Sequence, residues 1–321
     1  MADDAVSRKL AIMMPQYRKD YVDAMARKAV EFYWTKKNGC WEYDQAGRQI
    51  EWRVALNEGT PFAFLGGVEE HTPVVENPWE IATLQWRGLA HQFTATYAEK
   101  MLARDKYQII KLTAGLMKCM TRDWVKEWGT QFYSDGTRLS SSAFHGLAAS
   151  IDTSAVTYAG LSQSTFTSWD CQRIDATGFA ADPLNFLQQL QLSCAVGNEG
   201  GRDENEIDIF LCTKTDYRVV CQSEAVKQRY EQDIEMAKAG FKNVSCWGVP
   251  LAYSEYCTAN RIFGLNSKNF EIQTVTADGI ETGTENPPGF PHGLTLGYAV
   301  AMHQMLNLNP RGSGLLYNTG S

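Results

Sequence analysis

A chain of 321 residues with 44% hydrophobic and 21% charged residues has the composition of an ordinary globular protein, long enough for one large or two ordinary domains. Its 30 basic and 37 acidic side chains give a formal charge of −7, which argues against a protein whose main role is to coat nucleic acid. No run approaches the roughly 18 apolar residues of a membrane span, and the apolar run before Pro15 is too short for a signal peptide. We therefore expect a protein that is made and kept in a cytoplasm, without a membrane partner.

The first predicted elements are a helix and a β-hairpin. An amphipathic helix is expected over Tyr17–Trp34, and Asn38-Gly39 ends it. Alternating apolar and polar residues then predict two strands, at about 50–56 and 82–87, separated by a long loop rich in glycine, proline and acidic residues. A loop of this length inside a compact domain is usually either functional or wrongly assigned. The apolar residues of the two strands share one face: Ile50, Trp52, Val54, Leu56, Ala82, Leu84 and Trp86.

A long helix is predicted next, from about Tyr97 to Trp128. Its apolar stripe has helical spacing and consists of Leu102, Ile109, Leu112, Leu116, Met120 and Trp124. A rotation of ~100° per residue places six basic residues within a quarter of the circumference, nearly opposite that stripe. We call them the basic ridge: Lys100, Arg104, Lys111, Lys118, Arg122 and Lys126. The ridge is either a solvated helix face or a surface that faces a polyanion.

The middle of the chain is first polar and then helical. The Ser/Thr-rich stretch 139–169 predicts a loop with one short helix near Ala143–Ile151. Asp182-Pro183 predicts the start of a helix, because aspartate caps helix N-termini and proline is favoured in the first turn. The apolar residues of this helix are Leu184, Leu187, Leu190 and Leu192.

Alternating helix and strand then predict a compact α/β unit of about 100 residues. Its elements are a buried strand at Ile207–Cys212, a helix over about Asp216–Lys238, and strands near Val244–Tyr253, Arg261–Leu265 and Phe270–Val275. Thr274–Gly293 is expected to be a turn-rich connector and Leu294–Leu308 a final apolar strand. Asn309–Ser321 is expected to be a loose tail.

No motif for catalysis, a cofactor or a metal stands out. The five histidines form no H-x-x-x-H pair, the eight cysteines form no C-x-x-C, and the phosphate-binding and nucleophile-elbow motifs are absent. We expect reduced, mostly buried thiols. Glu69-Glu70-His71 is a weak metal candidate, and the acidic loop Asp203–Glu206 lacks the spacing of a calcium loop. A dispersed carboxylate pair stays open, because any two of the 37 acidic residues could meet in space.

The order of these elements resembles the major capsid proteins of tailed bacteriophages with the Hong Kong 97-like fold. Three stretches carry local similarity: GLAASIDTSAVTYAGLSQSTFTSW (146–169); VPLAYSEYCTANRIFGLNSKNFEI (249–272), through Pro250, Phe263, Leu265 and Asn266; and LLYNTGS (315–321). Asn260-Arg261 departs from the pattern, since a glycine is expected in that turn. Asparagine tolerates a positive φ, so the turn is expected to persist.

The resemblance implies an α+β fold with an inserted α/β domain and a division into five parts. These are an N-terminal arm (1–45), an extended hairpin loop (46–95), a peripheral domain (96–180) with a spine helix at 97–128, an axial domain (181–290) and a return to the peripheral domain (291–321). It also implies a virion protein, assembled in the host cytoplasm into hexamers and pentamers of an icosahedral head. The implied partners are further copies of the chain, double-stranded DNA, a separate scaffolding protein, a portal and a decoration protein.

In that family the hairpin lies across a neighbouring subunit. The resemblance therefore implies five arm residues that are partly exposed in a single subunit and contact the next copy: Trp52, Phe62, Phe64, Leu84 and Trp86. The basic ridge is expected to face DNA or a scaffold. Three alternatives stay open: an encapsulin-type nanocompartment shell, another virion ring or tube protein, and a soluble hydrolase with a dispersed carboxylate site.

Overall fold

The structure, a computed structural model, describes residues 29–43, 47–56, 79–95, 106–140, 142–195, 206–223, 243–275, 281–285 and 295–320. The described helices are α1 Val30–Lys37, α2 Lys106–Phe132, α3 Pro183–Cys194 and α4 Lys214–Gln222. Single 3-10 turns lie at Leu147–Ala149, Thr167–Trp169, Ser267–Asn269 and Pro310–Gly312. The described strands are β1 Trp41–Tyr43, β2 Gln49–Ala55, β3 Trp79–Gln85, β4 Gly88–Ala95, β5 Thr157–Tyr158, β6 Leu161–Ser162, β7 Gln172–Asp175, β8 Ile209–Cys212, β9 Asn243–Cys246, β10 Val249–Tyr253, β11 Arg261–Leu265, β12 Phe270–Thr274, β13 Glu281–Glu285, β14 Thr295–Asn307 and β15 Gly314–Tyr317.

The larger sheet has six strands in the order β7-β15-β11-β8-β10-β9 and is covered by helices on both faces. Successive side chains of β8 point to opposite faces, as in any strand. Ile209 and Leu211 share a buried cluster with Phe32 of α1 and Trp128 of α2. Phe210 and Cys212 share a second cluster with residues of α3 and α4. All four residues of β8 are buried, so the buried strand predicted here is confirmed.

The second sheet is organised around the long strand β14, which the sequence predicts correctly. Strands β12, β13 and β4 pair with it antiparallel, and β1 pairs with β12 in parallel. The two faces of β14 have different neighbours. Met305 packs in the cluster of α1 and α2, whereas Leu306 packs in a third cluster that contains the β2–β3 hairpin. The hairpin and α2 therefore lie on opposite faces of the second sheet.

Helix ends follow the predicted caps where the structure describes them. Asp182 Oδ1 accepts a hydrogen bond from the Asn185 amide at 3.3 Å, which confirms the predicted cap of α3. On this helix Leu187 and Leu190 are buried, whereas Leu192 is 62% exposed. Asn38 caps α1, as predicted, and the rest of the expected Tyr17–Trp34 helix lies outside the described residues.

Two boundaries in the long helix and the following polar stretch shift by a few residues. Helix α2 ends at Phe132, four residues beyond the predicted end at Trp128. The short helix expected near Ala143–Ile151 is one 3-10 turn, Leu147–Ala149. Asn260 has a φ of 59°, so the turn that departs from the capsid pattern does adopt the left-handed conformation that asparagine tolerates.

The C-terminal part corrects three predictions. The expected loose tail Asn309–Ser321 is wrong, because it contains β15, which lies between β7 and β11 with Leu315 and Leu316 fully buried. The expected connector Thr274–Gly293 contains β13. The single strand expected near Val244–Tyr253 is a hairpin of β9 and β10, turned at Trp247-Gly248, where both φ angles are positive.

Candidate assembly interface

No group of three or more His, Cys, Asp and Glu side chains among the described residues is placed to hold a metal ion. The candidate Glu69-Glu70-His71 lies outside these residues, as does most of the loop Asp203–Glu206. No helix within the described ranges is long and apolar enough to cross a membrane.

Burial determines the pKa values of several thiols and of two carboxyl groups. All eight cysteines are free and five are buried, as predicted. Burial raises the pKa of Cys171 to about 11 and that of Cys246 to about 12, so these thiols stay protonated and unreactive. Burial also raises the pKa of Glu31 and of Glu271 to about 7. Neither carboxyl lines the cleft around Arg48 and Gln85 or the cleft around Tyr33 and Trp247.

The predicted hairpin is present, with β2 and β3 paired antiparallel. The register sets Ile50 opposite Leu84 and Trp52 opposite Ala82, so the predicted apolar residues do share one face, the inner face. Ile50, Ala82 and Leu84 are at most 5% exposed. This face is therefore covered within a single subunit.

The covering element is the Ser/Thr-rich stretch. Trp52 of the hairpin lies 6.5 Å from Tyr158 and 6.4 Å from Trp169, measured between ring centroids. Tyr158 and Trp169 stack on each other at 6.0 Å with an interplanar angle of 24°. We call these three residues the aromatic clamp. Leu161 and Leu306 complete the cluster beneath the hairpin.

Hydrogen bonds fix the aromatic clamp in place. The Asn307 amide donates to the Tyr158 hydroxyl at 2.8 Å, and the Trp169 indole donates to the Tyr158 carbonyl at 3.4 Å. The turn after Tyr158 has positive φ at Ala159 and Gly160. This turn presents the Ala159 carbonyl to the Thr83 amide of β3 at 2.9 Å. The base of the hairpin is thus attached to its own subunit through both side chains and backbone.

This attachment corrects one expectation about the arm. Leu84 was expected to be partly exposed in a single subunit, and this is wrong, because the inner face packs on the aromatic clamp of the same chain. Trp52 and Trp86 are half-buried, in agreement with partial exposure. Phe62 and Phe64 lie outside the described residues.

The opposite face of β3 carries the exposed apolar surface instead. Trp79 is 51% exposed and Ile81 is 56% exposed, and we call this pair the outer patch. Ala55 and Arg53 of β2 lie opposite them in the register. In the sequence, Trp79 and Ile81 are apolar residues at alternate positions before Ala82. They lie on the face opposite to Ala82, so the apolar face predicted for the hairpin does not include them. A large exposed apolar pair on a hairpin is typical of an interface.

The basic ridge lies on the solvent side of α2. Its four described members, Lys111, Lys118, Arg122 and Lys126, are all exposed, while Trp124 and Trp128 on the other side are buried. Lys100 and Arg104 lie outside the described residues.

Two carboxylates lie near the basic ridge. Arg122 forms an exposed ion pair with Asp123 at 2.9 Å, which raises the pKa of the guanidinium and reduces the net charge of the ridge locally. Glu127 instead pairs with Arg138 at 3.0 Å. The predicted basic face is therefore present as a surface, while its partner remains a prediction.

No family model matches the sequence, and no curated protein matches it. Solved structures do match. A chain of the cyanophage A-1(L) capsid has a TM-score of 0.60 at 13% identity, over 86% of this chain and 89% of that chain. The capsid of Myoviridae phage XM1 gives 0.58 at 12% identity, over 88% and 91%. The capsid of a native GTA particle gives 0.56 at 13% identity, over 88% of each chain. At such identities the likeness is one of fold, and it confirms the α+β, Hong Kong 97-like fold implied by the order of elements.

Proposed function

We propose that this chain, which has the Hong Kong 97-like fold of phage capsid proteins, is a major capsid protein that self-assembles into the hexamers and pentamers of an icosahedral head enclosing double-stranded DNA. The observation that carries the proposal is the share of each chain over which the structures match. Between 86% and 88% of this chain matches between 88% and 91% of the three capsid chains, so the similarity extends over most of each capsid subunit. Such a protein is a virion component.

The mechanism is mechanical. Repeated heterologous contacts close into rings, and rings close into a shell. Each contact can be weak, because a subunit held by several neighbours gains from effective concentration. A net charge of −7 suits the inner wall of a DNA-filled shell, since a strongly basic wall would immobilise the DNA.

The hairpin has two separate roles in this proposal. Its inner face holds it to its own subunit through the aromatic clamp, and its outer patch contacts the next copy. Trp52 and Trp86 belong to the inner face but stay partly exposed, so they remain in the proposed arm contact together with Phe62 and Phe64. Trp79 and Ile81 replace the buried Leu84 there.

The division into N-terminal arm, extended loop, peripheral domain and axial domain is also part of the proposal. Four strands of the six-stranded sheet, β8 to β11, and the helices α3 and α4 come from 181–290, which supports an axial domain there. The same sheet includes β7 and β15, and its other face is covered by α1 and α2, all of which come from outside this range. The proposed axial boundaries therefore divide the chain, but they do not divide this sheet.

The basic ridge is proposed to face inward, toward DNA or a scaffolding protein. Reversing three of its charges, with Lys118, Arg122 and Lys126 each changed to glutamate, is expected to reduce the DNA content of shells or scaffold-directed assembly by about tenfold, since the electrostatic contribution of each basic contact is lost and replaced by repulsion. The DNA content follows from the ratio of absorbance at 260 and 280 nm, and assembly follows from the yield of particles.

A matched control reverses three exposed charges elsewhere on the surface: Lys214, Arg218 and Lys268. This variant changes the net charge by the same amount and is expected to fill and assemble normally. A ridge variant that assembles and fills like the wild type would remove the ridge from the proposal.

Sedimentation of the purified protein, followed by negative-stain imaging of the large species, tests the proposed function directly. Closed shells or five- and sixfold rings support it. Open tubes would favour another virion part, and closed shells that take up protein cargo but no DNA would favour a nanocompartment. A chain that stays monomeric both alone and when co-expressed with the other head proteins from its own locus would contradict assembly altogether.

A further inference from the structure

Residues 29–43, which contain α1 and β1, form a short segment directly before the hairpin. Strand β1 has only three residues and pairs with β12 at the edge of its sheet. Phe32 and Trp34 anchor α1 in the core. An acidic side chain lies near each end of the segment, Glu31 in α1 and Glu42 in β1.

The first contact is Glu31, which lies in the first turn of α1 and is 0% exposed. The Ser254 hydroxyl donates to its Oε1 at 3.1 Å, and its Oε2 has no partner among the described residues. Burial raises the pKa of Glu31 to about 7, against the smaller opposing effect of hydrogen bonds from its backbone and from Ser254. A carboxylate buried in this way without a cation is costly, so the neutral acid is favoured.

Within the described part of the chain, the groups that face Glu31 supply no compensating charge. Tyr133, which follows α2, and Tyr256 and Cys257 beyond β10 are acids, and the charge of Glu31 raises the pKa of each further. Asp216 of α4 acts on Cys257 in the same direction. No described basic side chain forms an ion pair with Glu31.

The second contact joins β1 to β12. Glu42 lies opposite Gln273 in the parallel register, which places it on the same face as Glu271. The two strands are neighbours, and Glu42 is close enough to raise the pKa of Glu271. Two carboxyl groups so placed can share a hydrogen bond when one of them carries a proton. Burial, and then Glu42, raise the pKa of Glu271 to about 7.

Among the residues that the structure describes, this pair also has no cation partner. Cys40 and Asp208 lie nearby, since Asp208 and Glu271 both act on the Cys40 thiol. Arg48 and Glu51 line the cleft that Gln273 also borders, and neither forms an ion pair with Glu271. The Gln273 amide donates weakly to Glu271 at 3.4 Å.

We propose that residues 29–43 are a proton-dependent latch: a proton on Glu31 and a proton shared by Glu42 and Glu271 hold α1 and β1 against the rest of the subunit, and loss of these protons loosens the segment that carries the hairpin. The inference depends on the contacts within one subunit and holds whether or not the chain forms shells.

The direction of the pH dependence follows from linkage. Both glutamates have a raised pKa in the folded chain, about 7 against an ordinary value of 4.5. Between these values the folded state binds more protons than the unfolded state, so stability falls as pH rises. The stabilising contribution is complete below about pH 4.5 and is lost as pH rises through about 7.

Hydrogen exchange on the full-length protein at about pH 6 and about pH 8.5, corrected for intrinsic exchange rates, tests the latch. Helix α3 serves as the internal reference. Protection of residues 29–43 is expected to fall by at least about tenfold more than that of α3. In the double variant Glu31→Gln, Glu271→Gln this selective loss is expected to disappear, because the amides cannot ionise. Glu51→Gln changes an exposed carboxyl and is expected to behave like the wild type.

Parallel changes in residues 29–43 and α3 of the wild type would overturn the latch, as would a selective loss that persists in the double variant. Infrared spectroscopy of the wild type keeps the test decisive if the double variant does not fold. The C=O stretching band of protonated carboxyl groups is expected to persist above pH 5, where ordinary glutamates are ionised, and to disappear near pH 7. The absence of such a band would equally refute the proposal.

Discussion

Replacing Trp169 with alanine is expected to lower the free energy of unfolding by about 3–5 kcal/mol and to release the base of the hairpin. Trp169 is 1% exposed, stacks on Tyr158 and packs against Trp52. Its removal leaves a cavity directly beneath β2 and β3, and it also removes the indole hydrogen bond to the Tyr158 carbonyl. Denaturant unfolding measures the loss of stability, and hydrogen exchange of β2 and β3 measures release of the hairpin.

Phe179→Ala is the matched control. Phe179 is fully buried, but it lies in the cluster of α3 and α4 on the far face of the six-stranded sheet. A similar loss of stability is therefore expected, with hairpin protection reduced only by global unfolding. If both variants gave the same hairpin exchange at equal stability, the aromatic clamp would have no specific role in holding the arm.

The hairpin shows what periodicity can and cannot predict. Alternation with period two sets which residues share a face, so the sequence predicts that Ile50, Trp52, Ala82 and Leu84 lie together, while the register that pairs them comes from the structure. What covers that face does not follow. Tyr158 and Trp169 lie in a polar stretch without a regular period, and a positive φ at Ala159 brings them under the hairpin.

The missed strands have a related cause. β15 has four residues and two leucines, which is too short for a local pattern to distinguish from a tail. It forms because β7 and β11 lie on either side of it and bury Leu315 and Leu316 completely. β13 similarly depends on β14 as its partner. Long-range pairing, rather than local propensity, creates both strands.

For the basic ridge, the sequence predicts the position on the helix but not the contact that the ridge makes. Helical spacing correctly places Lys118, Arg122 and Lys126 on one side of α2, because rotation per residue is fixed by helix geometry. Whether that side faces solvent, DNA or another protein depends on neighbours that one subunit does not contain. The same limit applies to the outer patch, whose exposure becomes evident only once the inner face is known to be covered.

The outer patch leads to the prediction with the largest expected effect on assembly. Changing Trp79 and Ile81 to serine is expected to raise the concentration at which shells form by more than about tenfold, because each truncation of an interface residue of this kind costs on the order of 1–2 kcal/mol and 1.4 kcal/mol is tenfold. The free energy of unfolding of the subunit is expected to change by less than about 1 kcal/mol, since both side chains are more than half exposed. Light scattering against concentration measures the first quantity and denaturant unfolding the second.

A control on the same hairpin face changes Glu51 and Gln85 to serine, two exposed polar residues in the same two strands. It is expected to leave both assembly and stability unchanged.

Assembly and stability together distinguish the roles of the two faces of the hairpin. A Trp79, Ile81 variant that assembles at the wild-type concentration would place the interface elsewhere, and one that loses several kcal/mol of stability would mean that the patch packs on its own chain. Loss of assembly with full stability, together with the opposite behaviour of Trp169→Ala, would assign the inner face to the subunit and the outer face to its neighbour.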